Sequence, residues 1–456
     1  MKFAQKGAVV HKSLLMFGGA GLAAACLCAS TAFASATIDP DTNILTFDVA
    51  SGEEAYAQEI PSTVAGIVKT GAGKIVLSVA STGFTGKTVL IDGGALEIQH
   101  KNALGSGNTI TVAKDAQYCM KFYYSQHDKG GQNNDLVVKG GTGPDGNGAI
   151  YMPNPPGGAR SDEFLGNVIL EGDALFKCGI LRGFGKTVVL NGKALSLHGQ
   201  FMFNDYSTVE GPGTIILQSS TTIFQGSPTF KGEGTVEAAG GNIQLWNLAK
   251  PMPYALRVAD ADVTIQLGRG LVNNSSANPA ANIWAGSVEI DSGRKLTLTN
   301  YKAEYAGDYL TIAGNISGDG ELVIGSNYPE YRLTGTNTYS GGTTIGANHL
   351  RIFADGNLST NGVIKLYDGF LELNLDGGSL SSDGVEGIVA QMSQTLYSGR
   401  GRLNLVTSTG TEATLSSDFS PLHQSIAICH EGAGSLTLSG DVHPDVMSAT
   451  LADILN

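Results

Sequence analysis

The sequence predicts an all-β chain wound as a parallel β-helix, a solenoid of stacked turns, and three observations predict it. The first is alternation. Short segments place apolar residues at every second position, as in Leu195/Leu197, Ile215/Leu217, Val263/Ile265/Leu267, Leu322/Ile324 and Leu371/Leu373/Leu375. A period of two marks a strand with one dry and one wet face. The second is punctuation: Gly-Lys, Gly-Asp, Asn-Gly and Asp-Gly pairs, drawn from 63 glycines, fall between these segments. They supply the positive φ that tight turns need. The third is repetition, because the pattern of residues 66–105 returns downstream. Such repeats are stacked units, none of which buries its apolar face alone. Helical periodicity is nearly lacking, which excludes α/β folds with their crossover helices. A tandem of sandwiches stays open at this level, but one-sided alternation with short turns suits a coil better.

Taken in order, the chain opens with Lys2, Lys6 and Lys12, a run of apolar and small residues from Leu14 to Leu27, and Ala32-Phe33-Ala34 before Ser35. This is the pattern of a signal peptide over residues 1–34, so an exported protein is expected. Its removal takes three lysines and no acid and moves the net charge from −13 to −16. Residues 35–440 are expected to form the β-helix, starting with the strand Ile44-Leu45-Thr46-Phe47-Asp48-Val49.

The organising stretch follows. In residues 66–105, Gly71-Ala72-Gly73 leads into Ile75 and Leu77, then Gly83-Phe84-Thr85-Gly86-Lys87-Thr88, the strand Val89-Leu90-Ile91, the turn Asp92-Gly93-Gly94, Leu96 and Ile98, and Ala103-Leu104-Gly105. The same order of events recurs in Tyr331-Arg332-Leu333-Thr334-Gly335, Tyr339-Ser340-Gly341-Gly342-Thr343 and Leu350/Ile352. A partial copy, Glu431-Gly432-Ala433-Gly434-Ser435-Leu436-Thr437-Leu438-Ser439-Gly440, closes the series.

These residues resemble the autotransporter-associated β-strand repeat, also called the passenger-associated transport repeat, over 66–105, 319–352 and 430–440. The resemblance implies a right-handed parallel β-helix in an exported Gram-negative surface protein, and it implies no catalytic residues. Proteins of this kind often end in a membrane barrel. Here Leu451-Ala452-Asp453-Ile454-Leu455-Asn456 follows no membrane-spanning strand pattern, so the chain is not expected to export itself across an outer membrane: either another system moves it, or it stays periplasmic, or the sequence is truncated.

Two stretches break the rhythm and are expected to be irregular insertions, residues 116–165 and 246–284. Long loops on a regular scaffold are where binding is grafted. The aromatic residues Tyr123, Tyr124, Tyr151, Trp246 and Trp284 lie in them and are read as candidate ligand-binding residues, because aromatic faces suit sugar rings. Near the C-terminus, 385–397 is expected to be a short helix. Asp445 to Leu455, with Met447, Leu451, Ile454 and Leu455 at helical spacing, is expected to be another, so that 441–456 forms a cap or tail.

No catalytic, cofactor-binding or metal-ligating set is predicted. Gly140-Gly141-Thr142-Gly143-Pro144-Asp145 fits the first positions of a calcium-binding nonapeptide, but one copy cannot complete a site shared between turns. Asp260 and Asp262 share a strand face and read as solvated charges. The three cysteines beyond the leader, Cys119, Cys178 and Cys429, have neither disulfide nor metal spacing and read as small buried side chains. The acidic balance argues against nucleic acid, and no transmembrane segment is expected after residue 34. The reading is a non-enzymatic surface or extracellular protein, adhesin-like, with a carbohydrate or a cell-surface ligand as partner; a periplasmic location stays open. The alternative is a carbohydrate-active β-helix enzyme, a lyase or hydrolase, which rests on fold analogy alone.

Overall fold

A computed structural model describes residues 12–15, 34–57, 59–122, 133–153, 162–218, 220–268, 281–300, 309–325, 330–392, 401–423 and 425–441. The chain is almost wholly β, with parallel sheets forming a β-solenoid of about 16 turns. It divides into two units, Met1–Ile216 and Leu217–Asn456.

In the first unit each turn contributes one strand to each of two parallel sheets. One sheet begins with Ile44–Val49, Gly66–Thr70, Thr88–Ile91 and Thr109–Val112. The other begins with Glu54–Ala57, Lys74–Leu77, Ala95–Ile98 and Gln117–Met120. Register explains the alternation. Leu45 lies over Ile67, then Val89, Ile110, Leu136, Val168, Val188 and Val209, and each is at most 1% exposed. Like side chains therefore stack at the strand spacing of about 4.8 Å and fill the coil. The step is 22 residues from Leu45 to Ile67 and lengthens to 32 from Leu136 to Val168.

Glycine is required where turns approach. Gly94 has φ +60, and a Cβ there would sit 2.2 Å from the carbonyl oxygen of Gly73 one turn away. This is why the Gly-Ala-Gly and Asp-Gly-Gly turns recur. At the N-terminal side, Ala34–Ile38 runs antiparallel to Ile44–Val49, and Lys12–Leu15, within the expected leader, pairs in parallel with Glu54–Ala57.

The second unit has three strands in a full turn. One parallel series is Val263–Gly268, Lys295–Asn300, Glu321–Ile324, Thr343–Ile345 and Ile364–Leu366. Another is Ala281–Trp284, Tyr309–Ile312, Glu330–Leu333, His349–Ile352, Phe370–Asn374, Gly401–Val406 and Ile426–Glu431. Leu310, Tyr331, Leu350, Leu371 and Leu403 form one fully buried column.

In their described residues, both stretches read as irregular carry strands of the coil. Gln117–Met120, Asp135–Val138, Ile150–Met152 and Asp162–Phe164 lie in the first, and Ala255–Val258, Val263–Gly268 and Ala281–Trp284 in the second. The expected helix near 385–397 is Ser382–Met392, α1, which buries Val385, Ile388, Val389 and Met392 on one face. It packs on Ile364–Leu366, whose partner among the described strands is Thr343–Ile345. The neighbouring sheet continues past it to Ile426–Glu431. Thus α1 covers the edge of one sheet, not the end of the stack. The second expected helix lies outside the described residues. Among the described residues no helix is long and apolar enough to cross a membrane.

Candidate functional site

Of the five candidate aromatics, Tyr151 stands on the outer side of a sheet. Register places it in a column with Glu97, Cys119, Lys177 and His198. The glycine-rich loop beside it is held by Asp145. The Asp145 carboxylate accepts hydrogen bonds from Gln117 Nε2 at 2.7 Å, the Asn147 amide at 3.0 Å and Asn147 Nδ2 at 2.8 Å. Burial raises its pKa, but these bonds outweigh burial and hold it below the ordinary value. Lys177 then donates to Asn147 Oδ1 at 2.7 Å. The run that fits a calcium motif is thus a turn whose aspartate is engaged by protein donors.

Above Tyr151 the charges are paired. Glu97 is 4% exposed and accepts from Lys74 at 3.2 Å and from Gln99 at 2.7 Å, with Lys121 at 3.7 Å. Lys74 also meets Glu54 at 2.7 Å. Burial opposes ionisation of both, yet mutual hydrogen bonding keeps Glu54 below and Lys74 above its ordinary value. Cys119 Sγ is 4.0 Å from a Glu97 oxygen; burial, with that carboxylate, pushes its thiol up to about 12. The Tyr151 phenol is raised by burial and by Cys119 and Asp145. Both groups hold their protons at neutral pH, so the face offers neither thiolate nor phenolate as a nucleophile. It offers a phenol, a paired lysine and a rigid loop, which suits recognition of a polar ligand.

Of the two tryptophans, Trp284 corrects the expectation of an exposed aromatic face. Trp284 is fully buried, because its register partners are Ile312, Leu333 and Ile352 on the inner side of the coil. Trp246 is half-buried and lies against Gly268, where a Cβ would come within 2.1 Å of its indole nitrogen. Tyr123 and Tyr124 lie outside the described residues. Tyr151 lies in the first unit and Trp246 and Trp284 lie in the second. Asp260 and Asp262 are exposed, and Asp262 accepts the Lys295 amide of the next turn at 3.0 Å. Cys119, Cys178 and Cys429 are buried and form no disulfide among the described residues.

Sequence reasoning did not single out a second face, in the second unit. The Arg332 guanidinium lies 3.6 Å from the Tyr309 ring centroid and pairs with Glu330. Arg351 bridges Glu330 at 3.3 Å and Glu372 at 2.7 Å. The His349 ring is 4.4 Å from that of Phe370, with Arg402 5.2 Å from the same ring. Each ring faces a cation or a ring of the next turn, so this ladder joins turns by cation–π and ion-pair contacts. The signal that could have revealed it is the 21-residue step from Tyr309 to Glu330 and from His349 to Phe370. No family model, curated protein or solved structure matches the chain.

Proposed function

We infer that this chain is an exported, non-catalytic surface or extracellular protein, adhesin-like, that displays binding loops on a stack of β-turns. One observation carries the reading. The inner columns keep register while whole loops are inserted between turns, as where the step from Leu136 to Val168 grows to 32 residues. A scaffold that tolerates insertion without losing register separates stability from recognition. The resemblance of 66–105 to the autotransporter-associated repeat supports the same reading, as does the signal-peptide pattern of residues 1–34. The ligand proposed for the Tyr151 face is a carbohydrate or another polar cell-surface group, because a phenol, Lys177 and Asn147 offer one apolar surface with hydrogen-bonding groups around it.

The test is fractionation of the native host, tracking the protein by antibody and sequencing its N-terminus by mass spectrometry. Recovery at the cell surface or in the medium, beginning near Ser35 or Thr37, is the expected outcome. Recovery only in the cytoplasm with Met1 retained would end the export reading.

A further inference from the structure

In the second unit, the sheet that runs from Ala281–Trp284 to Ile426–Glu431 carries a column of planar groups on its outer side. Register sets His349, Phe370, Arg402 and Ala427 on successive turns of this column. The His349 ring lies 4.4 Å from the Phe370 ring, and the Arg402 guanidinium lies 5.2 Å from the centroid of the same ring. There the planar groups stop. Ala427 presents a single methyl at the next place, about 4.8 Å further along the coil, and Arg402 is exposed beside it. The other two arginines of this face show what a guanidinium takes here. Arg332 pairs with Glu330, and Arg351 pairs with Glu330 and Glu372. Arg402 has no carboxylate at ion-pair distance among the described residues, because the acids nearest to it in register are engaged elsewhere. Glu372 is buried and held by Arg351, and Glu431 accepts from Asn404 Nδ2 at 2.8 Å.

We propose that the shelf formed by Arg402 and Ala427 binds an aromatic carboxylate. Each half of that ligand answers one observation. The unmatched charge of Arg402 asks for an anion, and the arginines one and two turns away show that a carboxylate is the anion this face accepts. The open place over Ala427 asks for a flat apolar group. A ring there covers the methyl and meets the guanidinium as Phe370 does from the preceding turn, since guanidinium groups pack on aromatic faces. A charge-assisted bond to an arginine that is already held against Phe370 fixes little new freedom, which favours binding. The site lies apart from the Tyr151 face in sequence and in unit, and it is independent of the export reading.

Titration of the full chain with benzoate, followed by the line widths of the ligand's proton NMR signals, tests it. Saturable binding is the expected result for the wild type. Benzamide, which keeps the ring and lacks the charge, is expected to bind about tenfold or more weakly. Cyclohexanecarboxylate keeps the charge and lacks the aromatic face, and a several-fold loss is expected. Arg402→Gln is expected to weaken benzoate about tenfold or more; the side chain is exposed, so the fold is expected to stand. Arg402→Lys keeps a cation but not its plane and is expected to fall between the two. Tyr151→Phe is expected to bind benzoate as the wild type does. The proposal is overturned by absence of saturable binding, by equal binding in Arg402→Gln, or by equal binding of all three ligands. Loss in Tyr151→Phe overturns it too, because the ligand would then sit on the other face.

Discussion

The ammonium of Lys69 reaches one turn along the coil to the backbone carbonyl of Gly93, 3.1 Å away. Lys69 occupies an inner position, between Phe47 and Ile91 in register, yet it is fully buried without a carboxylate in hydrogen-bond contact. Its other bonds go to the carbonyls of Thr70 at 2.5 Å and Gly71 at 2.8 Å. One side chain thus ties two Gly-rich turns together.

Lys69→Met keeps the apolar length and removes the donor. It is expected to cost about 1–3 kcal/mol, the penalty for leaving buried carbonyls short of a partner. The pH profile carries a second signature. Burial pushes the Lys69 pKa down to about 8, with Asp48 opposing it, whereas the unfolded value is about 10.4. Between these values the unfolded chain binds more protons, so the contribution of Lys69 to stability rises with pH over that window. Urea unfolding of both proteins at pH 7, 8, 9 and 10 reads the difference; parallel profiles would remove Lys69 from the account.

Gly86 and Gly105 form a matched pair. Both have positive φ, +66 and +61, but nothing lies within 4 Å of a Cβ at Gly86, whereas one at Gly105 would meet the Phe84 carbonyl oxygen at 1.7 Å. Gly86→Ala is expected to cost about 1 kcal/mol, the left-handed penalty alone. Gly105→Ala adds a backbone clash and is expected to cost about 2 kcal/mol more, or to prevent folding. Equal losses in thermal unfolding would show that the two turns do not approach as described.

The fold was legible because alternation has a parity that a solenoid repeats at every turn. Leu96 and Ile98 mark an inner column by parity alone. Parity fails where two apolar residues adjoin. In Ala281-Asn282-Ile283-Trp284 either Ile283 or Trp284 could face inward, and only the register with Ile312 puts the indole inside. Glu97 misleads in the other direction: a lone acid between Leu96 and Ile98 reads as solvated, but Lys74 and Lys121 from neighbouring turns and Gln99 two residues along close over it. The ladder of Arg332, Tyr309, Arg351 and Glu372 was missed for a related reason. Its members lie 19 to 63 residues apart and meet only through strand pairing.

The thiols supply a third prediction. From residue 35 onward the chain has Cys119, Cys178 and Cys429, all buried and none joined in a disulfide among the described residues. Burial holds the Cys119 thiol near 12, so its thiolate is nearly absent at pH 8. A chain of residues 35–456 is expected to react with no equivalent of a thiol-specific chromogenic disulfide over minutes when folded and with three in urea. Fast labelling of Cys119 in the native state would contradict the closed face around Glu97.

Trp284 and Tyr151 separate scaffold from surface. Trp284 fills the core column shared with Ile312, Leu333 and Ile352, so Trp284→Ala is expected to cost about 3–5 kcal/mol. Tyr151 is half-buried on the outer side, and Tyr151→Phe, which removes only the hydroxyl, is expected to leave stability within about 0.5 kcal/mol. The chain has two tryptophans, one buried and one half-buried. Native fluorescence is therefore expected to be blue-shifted, and Trp284→Phe is expected to remove most of the iodide-resistant signal. On a glycan array, Tyr151→Phe is expected to weaken whatever glycan signal the wild type gives, while Trp284→Phe leaves it unchanged. The reverse pattern would move recognition away from the Tyr151 face and onto a segment supported by the Trp284 column.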